Sequence, residues 1–302
     1  MLNRSDFSPI TLGDRPIFMA QYRRFSPVHS DSTFTNMVCW NTYAHYRYAH
    51  IRNSIIISST IDGQTRFRPP IGPQDNELLD DLIHLCIRDG AEIPLVLVDK
   101  DARIRIHQQY PGLTLTPDRN YFDYVYCAEE LATLPGKNYL SIRRHLNKFR
   151  KNCHPLIEEI GKQNREEVME FLFEWCEWKN CEGEPFLGFE REAILYALSH
   201  LKELELSGLL IRVLGRVGAI SVFEPLNNDT LVVHFEKGLP DCEGIYKAIN
   251  AEVAYRVKDH FTFINRESDM GVPGLRQAKL RYHPHHMVEV CYAIRDDLEA
   301  LV

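Results

Sequence analysis

The sequence predicts a mixed α+β protein built from two similar halves, and three observations carry that prediction. Strand-like and helix-like periodicities alternate along the whole 302 residues, a length comfortable for two domains. The second half shows a clear element order, and the first half shows a damaged copy of it. A break at Leu134-Pro135-Gly136 separates the two. The competing organisation is one large α+β domain with no internal repeat.

Residues 1–53 mix Tyr, His and Trp with helix signals, notably Asp14-Arg15-Pro16 and the aromatic stretch 37–48. The β-rich run 54–59, an Asp62-Gly63 turn and the alternating 65–68 read as a hairpin. Pro69, Pro70 and Pro73 stop its second strand. Residues 76–89 carry Leu78, Leu79, Leu82, Ile83 and Cys86 at helical spacing, closed by Gly90. A buried strand at 93–98, a helix near 102–107 and a strand at 121–127 complete the first half. A helix over 139–151 follows the break as a connecting element.

The second half opens with a strand at 154–160 and a helix over 163–178, which places Val168, Phe171, Leu172 and Trp175 on one face. A helix over 190–203 precedes a meander of 208–214, 219–225 and 230–236, turning at Gly215-Arg216 and Asn227-Asn228-Asp229. The loop 238–244 leads into a helix over 245–258. A short strand at 261–264, a helix at 273–280 with Pro at its first turn, and a strand at 287–294 finish the chain. Strand, helix, helix, three antiparallel strands, helix, strand, helix, strand is the order of the acetyltransferase fold. The expectation is therefore two tandem acetyltransferase-like (GNAT-like) domains: residues 1–136, degenerate; a basic connecting helix, 137–153; and residues 154–302, carrying the active cleft.

Composition narrows the function. Apolar residues at 44% and charged ones at 25% are ordinary globular values, which excludes disordered and fibrous classes. A net charge of −7 argues against a surface coated for non-specific nucleic-acid binding. MLNRSDFSPITLGD has no apolar core of a signal peptide, and no apolar run approaches the roughly 20 residues of a membrane span. A cytoplasmic location is expected. Eight cysteines are too sparse for a disulfide scaffold, and most lie in apolar surroundings, so reduced structural thiols are expected. No P-loop, HExxH or GxSxG is present, and His283, His285 and His286 lack the companion ligands of a metal site. No metal is expected.

Three constellations could carry chemistry. KNYLSIRRHLNKFRK, residues 137–151, holds no acidic residue; on a helix Arg144, Lys148 and Lys151 share a face that suits phosphates, although a solvated linker helix would look the same. FINRESDMGVPGLRQAKLRYHP, residues 263–284, crowds Asn265, Arg266, Glu267, Asp269, Arg276, Lys279 and Tyr282 around glycine-bent turns, where binding groups gather; Asp269 could equally cap a helix start. The third is His234-Phe235-Glu236-Lys237-Gly238 with the helix behind it. Its Gly-flanked turn and helix N-terminus offer backbone N–H groups to an anion. Glu236 suits a general base and Lys237 a phosphate or carboxylate, while a plain surface strand end is the bland alternative.

DYVYCAEELATLPGKNYLSIRRHLNKFRKN, then VVHFEKG, IYKAINAEVA and FINRESDMGVPGLRQAKLRYHP, resemble an uncharacterised bacterial family. That family is related to the C-terminal domain of phosphatidylglycerol lysyltransferase and to the Fem-type aminoacyltransferases. The resemblance spans nearly the whole chain and is strongest from Tyr121 on. It implies tandem acetyltransferase-like domains, with an aminoacyl-tRNA donor and a lipid head-group or peptidoglycan-precursor acceptor in characterised relatives. The sequence shows no counterpart of the membrane-embedded part of the lipid-modifying enzymes. The acetyltransferase phosphate loop, Arg/Gln-x-x-Gly-x-Gly/Ala, is echoed distantly by Lys237-Gly238-Leu239-Pro240-Asp241-Cys242-Glu243-Gly244.

The expected activity is transfer of an acyl or aminoacyl group from coenzyme A or aminoacyl-tRNA to an amine or hydroxyl, on a small molecule, peptide or lipid head group. Glu236 would be the base, with Lys279 and Arg276 holding donor phosphate or the oxyanion. Lys237, Gly238, Gly244, Tyr246 and Lys247 would bind the donor. Asn265, Arg266, Glu267, Asp269 and Tyr282 would line the cleft, and Arg144, Lys148 and Lys151 would meet tRNA phosphates. The rival is a non-catalytic nucleotide-, tRNA- or coenzyme-A-binding protein that keeps the fold.

Overall fold

The computed structural model describes residues 1–181, 183–240 and 242–301. The chain folds as mixed α/β with two mixed sheets and divides into two units. Unit 1 takes Met1–Asp123, Ser268–Pro273 and the segment from Met287 on; unit 2 takes Tyr124–Glu267 and Gly274–His286.

Unit 1 begins with β1 (Ser8–Pro9) and α1 (Arg15–Tyr22), whose Pro16 sits in the first turn, where a missing N–H costs nothing. Short helices α2 (Phe34–Cys39) and α3 (Asn41–Ala44) lead to β2 (Arg47–Ile51), β3 (Ser54–Ile61) and β4 (Gln64–Phe67). The β3–β4 hairpin turns through Asp62 and Gly63, both at positive φ, as a tight Asp-Gly turn requires. Helix α4 (Asn76–Asp89) starts where the Asp75 side chain accepts from Leu78 N at 3.0 Å and ends where Gly90 N donates to Cys86 O. Its Leu78, Leu82, Ile83 and Leu85 are buried with Ile56, Phe67, Leu95 and Val98 in the core of this unit. Then come β5 (Leu95–Val98), α5 (Lys100–Gln109) and β6 (Thr116–Pro117).

Unit 2 takes up β7 (Asp123–Cys127) from Tyr124 on and continues through α6 (Ala128–Thr133), α7 (Leu140–Cys153), β8 (Leu156–Glu159), α8 (Arg165–Lys179), α9 (Pro185–Ser199), β9 (Ser207–Val213), β10 (Arg216–Pro225), β11 (Thr230–Gly238), α10 (Ile245–Val257) and β12 (Phe263–Asn265). Strands β10 and β11 are buried along nearly their whole length. Near-continuous apolar runs such as Val217–Phe223 suit a sheet covered on both faces. Helix α10 packs on β10 and β11 through Ile245, Ala248, Ile249, Val253 and Val257, as their spacing anticipates. The remaining elements are α11 (Pro273–Leu280), β13 (His286–Val288), β14 (Cys291–Ala293) and α12 (Arg295–Glu299).

The sheets run β1-β2-β3-β4-β5-β14-β6 and β8-β9-β10-β11-β12-β7-β13. From the second to the sixth position they match in pairing sense. Two antiparallel neighbours precede one parallel pair (β4–β5; β11–β12), and an antiparallel strand follows (β14; β7). That last strand comes in each case from the other half of the sequence.

Three expectations are corrected. The single closing strand at 287–294 is two short strands in different sheets, because β14 pairs with β5 and β6. The helix expected at 190–203 begins earlier, at Pro185, and ends at Ser199; Pro is well suited to the first helical turn. Four of the cysteines expected as thiols are disulfide-bonded instead, Cys153 to Cys242 and Cys176 to Cys181. The first pair is 89 residues apart in sequence, so only the fold brings it together. Cys39, Cys86, Cys127 and Cys291 keep their thiols.

Candidate functional site

The parallel strands β11 and β12 are in register only at Thr230–Phe263, Leu231–Ile264 and Val232–Asn265. β11 then continues alone on that side to Gly238, while the chain after β12 bends away. The bend is local chemistry: Asn265 Oδ1 accepts from Glu267 N at 2.7 Å, and Glu267 adopts φ +58°. The resulting wedge, at the carboxyl end of two parallel strands, brings Glu236, Asn250, Arg266 and Tyr282 of unit 2 together.

Arg266 enters the wedge and donates from Nη2 to Glu236 Oε1 at 2.9 Å. The Asn250 amide, on α10, lies 3.0 and 3.1 Å from its Nε and Nη1 with the oxygen turned to accept. Tyr282 and Tyr126 flank the guanidinium at 5.2 and 5.9 Å from their ring centroids. Burial opposes the charge of Arg266, but the Glu236 carboxylate outweighs it and holds the guanidinium above its ordinary pKa. Burial likewise pushes the Tyr282 phenol up to about 12 and Tyr126 higher still, so both rings present neutral O–H groups. Glu236 Oε2 and Ser221 Oγ, from residues opposite each other on β11 and β10, are buried and find no hydrogen-bond partner among the described residues. An acceptor left in that condition is costly unless something polar visits it.

Behind the wedge, His234 is fully buried between two carboxylates. Its Nε2 donates to Glu224 Oε1 at 2.9 Å and its Nδ1 to Glu267 Oε1 at 3.0 Å. Burial alone would lower its pKa, but the two carboxylates prevail and raise it to about 9. The imidazolium thus holds Glu267 in place.

Each expected residue can now be located. Glu236, Asn265, Arg266, Glu267, Lys279 and Tyr282 belong to unit 2 and gather at the wedge. Lys279 is buried on α11 and donates to the carbonyls of Arg266 and, at 3.1 Å, Glu267. Tyr126 Oη donates to Lys279 O at 2.9 Å. Arg276 lies on the same helix, half-buried. Asp269 belongs to unit 1, where it is buried and accepts from Arg119 Nη1 at 3.1 Å. Lys237 pairs with Glu190 at 2.7 Å and sits over the Trp175 ring, whose Nε1 donates to Tyr246 Oη at 3.4 Å. Lys247 is half-exposed. A Cβ at Gly238 would meet Ile245 at 3.0 Å, and one at Gly244 (φ +98°) would meet His145 O at 3.1 Å. Arg144, Lys148 and Lys151 are exposed on α7, with Lys148 bonded to Glu243. Asp241, in the loop that echoes the acetyltransferase motif, lies outside the described residues.

Sequence reasoning missed Ser221, Asn250, Tyr126 and the bracketing of His234. The signal for the first two was present: a lone Ser in Ala219–Phe223, and a lone Asn on the apolar face of α10. Among the described residues, no group of three or more His, Cys, Asp or Glu side chains is placed to hold a metal ion, and no helix is long and apolar enough to cross a membrane.

Comparison with known proteins bears on this geometry. The profile of the family described as phosphatidylglycerol lysyltransferase, C-terminal, matches residues 22–294. A conserved protein of unknown function from Bacteroides thetaiotaomicron is 31% identical, with 95% of this chain and 98% of that one aligned at a TM-score of 0.88. The C-terminal domain (DUF2156) of a predicted lysylphosphatidylglycerol synthetase from Agrobacterium fabrum shares the fold at 12% identity, covering 96% of this chain and 95% of that one with a TM-score of 0.68. L-PGS from Bacillus licheniformis does so at 11% identity, covering 94% and 92%, with a TM-score of 0.66. No curated protein matches the chain in sequence.

Proposed function

The chain belongs to the phosphatidylglycerol lysyltransferase C-terminal family, and on that premise we propose that it transfers an aminoacyl group from aminoacyl-tRNA to an amine or hydroxyl acceptor at the β11–β12 wedge. The observation that carries this reading is the buried, unpartnered Oε2 of Glu236 beside a buried guanidinium. Glu236 takes the proton of the attacking amine or hydroxyl on that oxygen, while its other oxygen stays on Arg266. Arg266 holds the Glu236 carboxylate in place, and the neutral Tyr282 phenol faces the oxyanion that forms at the ester carbonyl. Collapse then re-forms the carbonyl and breaks the ester C–O bond, and Glu236 Oε2 returns its proton to the departing ribose oxygen, which leaves as the tRNA hydroxyl. Lys279 acts as a positioning residue, fixing the backbone at Arg266 and Glu267.

The two sheets support reading the units as tandem acetyltransferase-like folds, the first degenerate, since their central strands follow one order and sense. The choice of tRNA over coenzyme A follows from α7 and the turn before α10. Arg144, Lys148 and Lys151 are exposed along α7, as phosphate contacts need to be. By contrast, Gly244 of the turn that would cradle coenzyme A phosphates packs closely on His145 and Phe149.

The test is transfer of a labelled amino acid from charged tRNA to a panel of amines, peptides and phosphatidylglycerol vesicles, with acetyl-coenzyme A run in parallel. Glu236→Gln should slow transfer about 100-fold or more, the usual weight of a general base, while tRNA affinity stays unchanged. Transfer from acetyl-coenzyme A alone would replace the donor. Binding without turnover on any acceptor would favour a non-catalytic role.

A further inference from the structure

The turn before α10 is fastened to α7 at three places within unit 2. Cys242 is disulfide-bonded to Cys153, the last residue of α7. Glu243 is bonded to Lys148 and lies 3.6 Å from His145 Nε2. Gly244, at φ +98°, approaches His145 O so closely that an added Cβ would lie 3.1 Å from it. Of these, the disulfide is covalent, whereas the Glu243–Lys148 pair is more than half exposed on both sides. An exposed pair of that kind holds weakly by itself. The neighbouring disulfide raises the effective concentration of the carboxylate beside the ammonium.

Lys148 is the middle member of the Arg144, Lys148, Lys151 stripe. A carboxylate on it competes with any phosphate that would bind there. We propose that Cys153–Cys242 is a redox-sensitive clasp that holds Glu243 on Lys148, occupying the middle cation of the tRNA-binding stripe until the disulfide is reduced. The step is a thiol–disulfide exchange. A dithiol reductant gives two electrons and two protons to the Cys153–Cys242 bond, which opens to two thiols as the reductant closes to its own disulfide. The turn then swings on Gly244, Glu243 leaves, and a tRNA phosphate takes its place. This inference rests on the tRNA reading above.

The test uses the full chain, held oxidised with oxidised glutathione or reduced with dithiothreitol, with the state of each cysteine read by alkylation and mass spectrometry. Binding of unfractionated tRNA is measured across a salt series, in wild type and in Cys176→Ser/Cys181→Ser, where the clasp is the sole disulfide left. Reduction should strengthen binding several-fold and steepen the log–log salt slope by about 0.9 for one more duplex phosphate, or about 0.7 on a single strand. Glu243→Gln should bind like the reduced protein in both states; because it touches no cysteine, it keeps the test clear of folding defects. Equal affinity and slope in both redox states, or a Glu243→Gln protein as redox-sensitive as wild type, overturns the clasp. If tRNA binds in neither state, the donor reading fails, and amide exchange at 242–247 decides the clasp: roughly tenfold faster exchange after reduction, the mark of local opening, sustains it, and unchanged exchange overturns it.

Discussion

Raising the pH should strip stability from unit 2 through a single buried imidazole. His234 donates to Glu224 and Glu267 from a site with no side-chain exposure. Its pKa is about 9 in the folded protein against 6.5 for an ordinary histidine. Below pH 6.5 both folded and unfolded chains carry the proton, and the stabilisation is fully present. Between 6.5 and 9 the unfolded chain loses its proton first, so each rise in pH favours unfolding, and above 9 the contribution is gone. The interval between 6.5 and about 9, at about 1.4 kcal/mol per pH unit, amounts to about 3 kcal/mol. Urea unfolding of wild type and His234→Gln, measured from pH 6 to 9.5, isolates this contribution because other titrating groups cancel in the difference. The stability difference between the two proteins should shrink by about 3 kcal/mol over that range. A difference that stays flat to within about 1 kcal/mol, less than one pH unit's worth, would refute a protonated His234 between two carboxylates.

Gly244→Ala should cost about 2 kcal/mol or more of stability, since a left-handed φ penalises any side chain and the new Cβ meets His145 O at 3.1 Å; thermal melts check this, and a neutral outcome would mean that the turn does not pack on α7. Lys279→Met should cost about 1–3 kcal/mol, because the carbonyls of Arg266 and Glu267 lose a buried donor, whereas Arg144→Ala on the exposed face of α7 should stay within about 0.5 kcal/mol. Equal effects in chemical denaturation would make Lys279 a surface charge rather than a positioning residue.

How much of this was legible in the sequence divides along a physical line. Helices α4, α10 and α11 were readable because their signals are local: Leu and Ile at helical spacing with a Gly stop for the first, a stripe of Ile, Ala and Val for the second, Pro at the start of the third. The β3–β4 hairpin was readable because Asp-Gly sets its turn. Pairing across long separations leaves no such mark. Nothing in VEVCYAI says that Cys291–Ala293 will join β5 rather than β12, and nothing in DYVYC says that it will pair with β12. The same holds for Cys153 and Cys242, each of which reads alone as a small apolar residue.

The wedge follows the same rule with one difference. Arg266, Asn265, Glu267, Lys279 and Tyr282 were found as a crowd of polar groups near glycine-bent turns and Glu236 as a charged strand end, and the fold does bring them together. Their division of labour was hidden, because it depends on which charge neutralises which. Arg266 is spent on Glu236 and Lys279 on two backbone carbonyls, so neither stands waiting as a bare cation for a donor phosphate. The acceptor with capacity to spare is Glu236 Oε2. With its cations internally compensated and one oxygen of Glu236 unpartnered, the wedge fits the proposed base role better than capture of a donor phosphate. On the proposed reading the donor's phosphates are held instead on α7, where Arg144, Lys148 and Lys151 are exposed.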